Sequence, residues 1–209
     1  DTILGNLPLI RQQQEVQFIW QTGNYYSAAI QAELSRRKCP DNLKVTDFIS
    51  DMAHAYAAAD LIISRAGAGS ISEFCLLGKP VILVPSPNVA EDHQTKNALA
   101  LVQKDAALYV KDEEVSRTLL PLAINTVKER QRLAQLSDNI RQLAALEATG
   151  ILTSSQAMTL RDAYRKLRFE THHRQLNDTD HHVPAREWQL LREQVIAIWQ
   201  EVFAENPTS

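Results

Sequence analysis

Short apolar runs alternate with longer amphipathic stretches over the first two thirds of the chain. Val16–Trp20 (VQFIW), Leu43–Thr46, Asp60–Ser64 (DLIIS), Val81–Val84 (VILV) and Ala107–Val110 are short runs between helical stretches, which predicts five strands, VQFIW among them as a buried one. Between them, Tyr25–Arg37, Met52–Ala59, Ser70–Leu77 and Ala90–Lys104 carry helical spacing, and Glu113–Leu146 reads as mostly helix. Gly78 with Pro80 just beyond is helix-stop chemistry. Strands alternating with helices of this length predict an α/β, Rossmann-like doubly wound parallel sheet, and the all-apolar VILV run fits a strand buried on both faces.

The pattern changes after Gly150. Thr153-Ser154-Ser155-Gln156 is an S/T-x-x-Q capping box opening a helix, on which Ala157, Leu160, Tyr164, Leu167 and Thr171 form an apolar stripe. A polar turn near Asn177–His182 precedes Pro184 and a second helix with Trp188, Leu191, Val195, Ile198 and Val202 on one face. The expected organisation is a sheet domain over residues 1–146, a junction at 147–152 and an α-helical hairpin at 153–209. Two helices make a thin core, so the hairpin is expected to dock on the sheet domain or on another chain.

Composition narrows the function classes. The 209 residues carry 22 Lys+Arg against 25 Asp+Glu, a formal net charge of −3, so no basic excess exists to neutralise a nucleic-acid backbone. The longest apolar runs fall far short of the roughly 20 residues that span a bilayer. The two cysteines, Cys39 and Cys75, make no disulfide framework and no signal-peptide pattern leads the chain, which points to a cytoplasmic setting.

Ligands of doubly wound sheets bind beyond the carboxyl ends of the strands, and three segments fall there. Arg65-Ala66-Gly67-Ala68-Gly69-Ser70 joins the DLIIS strand to its helix; its glycines permit either close approach of a phosphate to free helix-start N–H groups or simply a tight turn. Glu73 follows, able to accept from a ribose diol or, alternatively, to complement the helix dipole. In Glu91-Asp92-His93-Gln94-Thr95-Lys96-Asn97, Gln94 and Asn97 share a helical face and can hydrogen-bond sugar hydroxyls and an N-acetyl group, or serve as caps and solvated polar residues. His172, His173, His181 and His182 flank the hairpin turn, as a solvated helix end or as a metal site, although no Cys or acidic spacing there matches a familiar zinc pattern.

Phe48-Ile49-Ser50-Asp51-Met52, SRAGAGSISE (Ser64–Glu73), GKPVILVPSP (Gly78–Pro87) and EDHQTKNA (Glu91–Ala98), in that order, resemble the carboxy-terminal, donor-binding half of the MurG family of N-acetylglucosaminyltransferases. The resemblance covers about residues 1–146. It implies a GT-B fold and inverting transfer of N-acetylglucosamine from UDP-GlcNAc to a lipid-linked muramoyl-pentapeptide at the cytoplasmic face of the inner membrane. It also implies that no metal or other cofactor is needed. Carried over by position, Ile49 would recognise uracil through its backbone, Gly67, Ala68, Gly69 and Ser70 would face the diphosphate, and Glu73 would hold the ribose. Gln94 and Asn97, with His93 beside them, would hold the N-acetylglucosamine, and Thr22 would lie near the donor. The family's opening strand with its second glycine-rich loop, and its acceptor domain with the expected general base, have no counterpart here, so the chain is expected to be inactive alone.

Leu160–Leu176 and Leu191–Phe203 resemble instead the extreme carboxy-terminal helical region of the bifunctional glutamine synthetase adenylyltransferase/adenylyl-removing enzyme, over about residues 151–203. That resemblance implies a helical docking element rather than an active site. The pairing makes a non-catalytic chimaeric or fused scaffold the alternative to a transferase half. A non-hydrolysing UDP-GlcNAc 2-epimerase ranks below both, because Ser64–Glu73 lacks that family's Asp-Ser-Gly-Gly segment.

Overall fold

In the computed structural model, residues 2–86, 93–176 and 185–203 are described. Two short helices, α1 (Thr2–Gly5) and α2 (Leu7–Gln12), precede β1 (Phe18–Gln21), α3 (Asn24–Arg37), β2 (Leu43–Thr46), α4 (Met52–Ala58) and β3 (Ile62–Ser64). Then follow α5 (Ala68–Leu77), β4 (Val81–Leu83), α6 (His93–Val102) and β5 (Leu108–Tyr109). The expected long helical stretch resolves into a 3-10 turn at Asp112–Glu114, α7 (Val115–Lys128), α8 (Arg130–Leu136) and α9 (Asn139–Ala148). The chain closes with α10 (Ser154–Leu176) and α11 (Ala185–Phe203). Residues 90–92 of the helix expected at Ala90–Lys104 and the turn at 177–184 lie outside the described residues.

All strand pairings are parallel, as the alternation predicted, but they form two sheets: β1 with β2, and β3-β4-β5 in that order. Among the described residues, β1 pairs only with β2 and β3 only with β4. Ile19 on β1 and Ile63 on β3 are exposed, at 54% and 40%, so each of these strands has a face that the helices leave partly uncovered.

Strand β4 lies buried on both sides. Val81 and Leu83 face one core with Ile71, Phe74, Cys75, Leu101, Leu143 and Leu146, from α5, α6 and α9. Ile82 and Val84 face a second core with Leu119 and Ala123 of α7. The period-2 alternation of the strand therefore feeds two helical layers. Helix α7 also links the sheets, because Leu120 joins Leu7, Ile10, Leu34 and Leu43 in a third core beneath β1 and β2. The buried Asn42 amide ties that unit together, donating from Nδ2 to the carbonyls of Ile10, Gln13 and Val16 at 2.8–3.0 Å.

Helix ends follow local chemistry. Gly78 closes α5 in the left-handed region (φ 64°), its N–H directed to Cys75 O and the Lys79 N–H to Phe74 O. Gly150 (φ 74°) ends the run after α9, which extends to Ala148, past the boundary expected at 146. The predicted capping box is present in both directions: the Thr153 N–H donates to Gln156 Oε1 at 2.9 Å, and the Gln156 N–H to Thr153 Oγ1 at 3.3 Å. Leu152, Ala157 and Leu160 belong to the same core as α5 and α9, and Val195, Ile198 and Val202 of α11 pack against it. Arg161 on α10 pairs with Glu147 on α9 at 2.8 Å, and the Lys166 ammonium sits 5.2 Å from the Trp188 ring across the hairpin.

Candidate functional site at the strand ends

The carboxyl ends of β3 and β4 are neighbours, with Ser64 opposite Leu83 in register. Arg65 leaves β3 and binds the turn that follows β4, donating from Nη1 to the carbonyls of Val84 and Pro85 at 3.3 Å each. The same guanidinium pairs with Asp112 beyond β5. One side chain thus bridges the ends of three strands. On the other side of that turn, the Ser86 N–H donates to Gln94 Oε1 at 2.9 Å. The Gln94 carbonyl oxygen is therefore occupied by its own fold, and its Nε2 is the end left to donate. Gln94 and Asn97 are both half-buried on α6 rather than freely solvated, and the His93 side chain lies outside the described residues.

Helix α5 starts two residues earlier than the sequence pattern indicated, at Ala68, with Gly67 as N-cap and no side-chain cap among the described residues. Its first-turn N–H groups thus carry the positive dipole end without an internal partner. Gly67 has φ −67° and Gly69 is helical, so neither needs glycine's conformational freedom. A Cβ built at either position meets nothing within 4 Å. The tight-turn explanation of these glycines therefore loses its ground, and what remains is open space over an uncapped helix start. The earlier start also puts Glu73 in the second turn, so the dipole explanation for this residue weakens as well. Ser70 is half-buried in the first turn.

Glu73 is exposed, yet it is held: Tyr56 Oη on α4 donates to its Oε2 at 3.0 Å. The Tyr56 ring packs edge-on against Phe74, with centroids 5.8 Å apart. Burial, together with the hydrogen bond to the Glu73 carboxylate, pushes the Tyr56 phenol up to about 12. Helix α4 is fixed at both ends, by Asp51 Oδ1 accepting from the His54 N–H at 3.1 Å and by Lys79 Nζ on the carbonyls of Ala59 (2.8 Å) and Ala57 (3.3 Å).

The turns after β1 and β2 are tied to each other. The Ile49 N–H donates to Gln21 Oε1 at 3.0 Å, which leaves the Ile49 carbonyl as its free backbone group. Thr22 donates its hydroxyl to Thr46 O at 3.2 Å and braces the ends of the two strands. Gln21, Tyr56, Arg65 and Asp112 were not singled out by sequence reasoning, because each acts on a partner 17 to 47 positions away. Among the described residues no group of three or more His, Cys, Asp or Glu could hold a metal ion, and the histidines at 172, 173, 181 and 182 have no described side chains. Among those residues, too, no helix is long and apolar enough to cross a membrane.

A parallel α/β rim with an open helix start, an acidic side chain and amide side chains fits the carboxy-terminal half of a GT-B glycosyltransferase. Comparison with known proteins agrees. The sequence profile of the glycosyltransferase family 28 C-terminal domain matches residues 1–150, and the chain belongs to that family. It is 59% identical over 152 residues to the UDP-N-acetylglucosamine--N-acetylmuramyl-(pentapeptide) pyrophosphoryl-undecaprenol N-acetylglucosamine transferase of Bacteroides fragilis, covering 73% of this chain and 40% of that protein. Identity to the enzyme of the same name from Porphyromonas gingivalis is 54% over 139 residues, covering 64% and 35%. The crystal structure of Acinetobacter baumannii MurG superposes with a TM-score of 0.55 at 33% identity, covering 72% of this chain and 45% of that one. The matched part of the chain thus spans 35–45% of the length of these relatives.

Proposed function

We propose that this chain is the UDP-GlcNAc-binding half of an inverting N-acetylglucosaminyltransferase of peptidoglycan synthesis. The observation that carries the reading is the open start of α5, where Gly67 and Gly69 are required by neither backbone conformation nor crowding. The N–H groups of residues 67–70 bind the diphosphate and stabilise its charge as UDP departs, a role that oriented dipoles fill without a metal. Glu73 accepts from the ribose hydroxyls, and the Ile49 carbonyl accepts from the uracil N3–H, its own N–H being engaged by Gln21. Gln94 donates from Nε2 to the N-acetylglucosamine, with Asn97 and His93 alongside and Thr22 at the near edge.

The acceptor read for the whole enzyme is a lipid-linked muramoyl-pentapeptide at the cytoplasmic face of the membrane; the pyrophosphoryl-undecaprenol in the relatives' name supports the lipid-linked part of that reading. No residue of this chain is assigned the general base, so binding without turnover is expected of it alone. The hairpin α10–α11 serves as a docking cap on α9. Its resemblance to the adenylyltransferase helical region and the Arg161–Glu147 pair support that role. Titration calorimetry with UDP-GlcNAc and UDP tests the reading: saturable heat from both, with UDP-GlcNAc the tighter ligand, is expected. Absence of heat at millimolar UDP-GlcNAc sinks it.

A further inference from the structure

We propose that Tyr56 is a positioning residue, which holds the Glu73 carboxylate ready for a ribose cis-diol and so makes the site prefer ribonucleoside diphosphates to their 2′-deoxy counterparts. The inference rests on the assignment of Glu73 to the ribose. Glu73 is exposed and long, and an unheld side chain of that kind loses rotamer freedom when it engages a ligand. Here the ordering is done in advance. The Tyr56 hydroxyl occupies one acceptor position on Oε2, leaving Oε1 and the remaining lone pairs for the two O–H donors of a diol.

Tyr56 can do this because it is itself immobilised. Its ring meets Phe74 edge-on, it packs against the main core, and α4 is tied at its start by Asp51 and at its end by Lys79. Lys79 follows the helix that bears Glu73, so the two helices are also anchored to each other at the carboxyl end of α4. A pair that served only to join α4 to α5 would do so equally for any ligand. A positioning pair acts only where the ligand presents the diol.

Tyr56→Phe removes one hydroxyl and keeps the ring against Phe74. Calorimetric titration of the full chain with UDP and with 2′-deoxy-UDP, on wild type, Tyr56→Phe and Glu73→Ala, tests the proposal. The wild type is expected to prefer UDP by about ten- to a hundredfold, the value of one hydrogen bond to a charged group. Tyr56→Phe should weaken UDP about three- to tenfold and leave 2′-deoxy-UDP within about twofold, so that the preference narrows accordingly. Glu73→Ala should abolish the preference altogether.

If Glu73→Ala abolishes the preference and Tyr56→Phe keeps it undiminished, Tyr56 has no positioning role and the ribose assignment stands. If Glu73→Ala also keeps it, or if the wild type shows no preference or binds neither nucleotide, the ribose assignment falls and this inference falls with it. Equal weakening of both ligands by Tyr56→Phe, with an unchanged ratio, marks a merely structural contact and overturns the proposal. A readout without ligand is the Glu73 carboxyl carbon resonance, which should move in Tyr56→Phe; a stationary resonance shows that the two groups do not meet and likewise overturns it.

Discussion

Replacing Gly69 by alanine separates what α5 needs to fold from what it needs to bind. Gly69 is the second residue of the helix, its φ is not positive, and a Cβ there meets nothing within 4 Å. Alanine at a helical position without strain should therefore raise stability, by about 0.5–1 kcal/mol, through helix propensity and a less flexible unfolded chain. In a domain of this size that is a rise in Tm of about 1–4 °C. The same methyl group would stand over the first-turn N–H groups, where a diphosphate must approach. Losing one hydrogen bond to a charged oxygen costs about 1.5–3 kcal/mol, so UDP affinity should fall at least about tenfold. Urea denaturation followed by circular dichroism measures the first effect and calorimetric titration with UDP the second. Gly78→Ala is the control, since its left-handed φ of 64° makes alanine cost about 1 kcal/mol at no direct expense to binding. A Gly69→Ala protein that is less stable would refute the geometry, and one that is more stable with unchanged UDP affinity would refute the phosphate role.

Three further outcomes are expected. Asn42→Ala should lower stability by about 1–3 kcal/mol in urea, because three carbonyls below β1 and β2 lose their buried donor; a change within error would show that water replaces it. Thr153→Ala should cost about 1 kcal/mol by breaking the reciprocal cap of α10, with Thr153→Ser restoring most of it. In an ultraviolet pH titration, one tyrosine should resist ionisation until about pH 12 and should be missing from Tyr56→Phe. Because the folded phenol holds its proton more tightly than the unfolded one, its contribution to stability is complete below about pH 10 and is lost as pH rises through about 12. A titration in which all tyrosines ionise together near pH 10 contradicts the Tyr56 contact.

The alternation of strands and helices was legible in the sequence because each depends on neighbours a few positions away. The apolar VILV run identified a strand covered on both faces, Gly78 marked a helix end, and Thr153 with Gln156 announced a cap that the structure contains. Several candidate residues were visible for the same reason, since SRAGAGSISE and EDHQTKNA are contiguous. The start of α5 was less legible. An Ala-Gly pair carries little local signal, and the two-residue difference decides whether Glu73 answers the helix dipole or is free for another task.

What local pattern determined, then, was the order and kind of the elements and the chemistry available at the turns. Only the tertiary structure decided how the strands divide into two sheets joined by α7, which end of Gln94 is free, and that Tyr56 and Arg65 brace groups far from them in sequence. The physical reason is range. Helix and strand periodicity is written within a few residues, whereas a hydrogen bond across 17 or 20 positions exists only after the core has set the elements side by side.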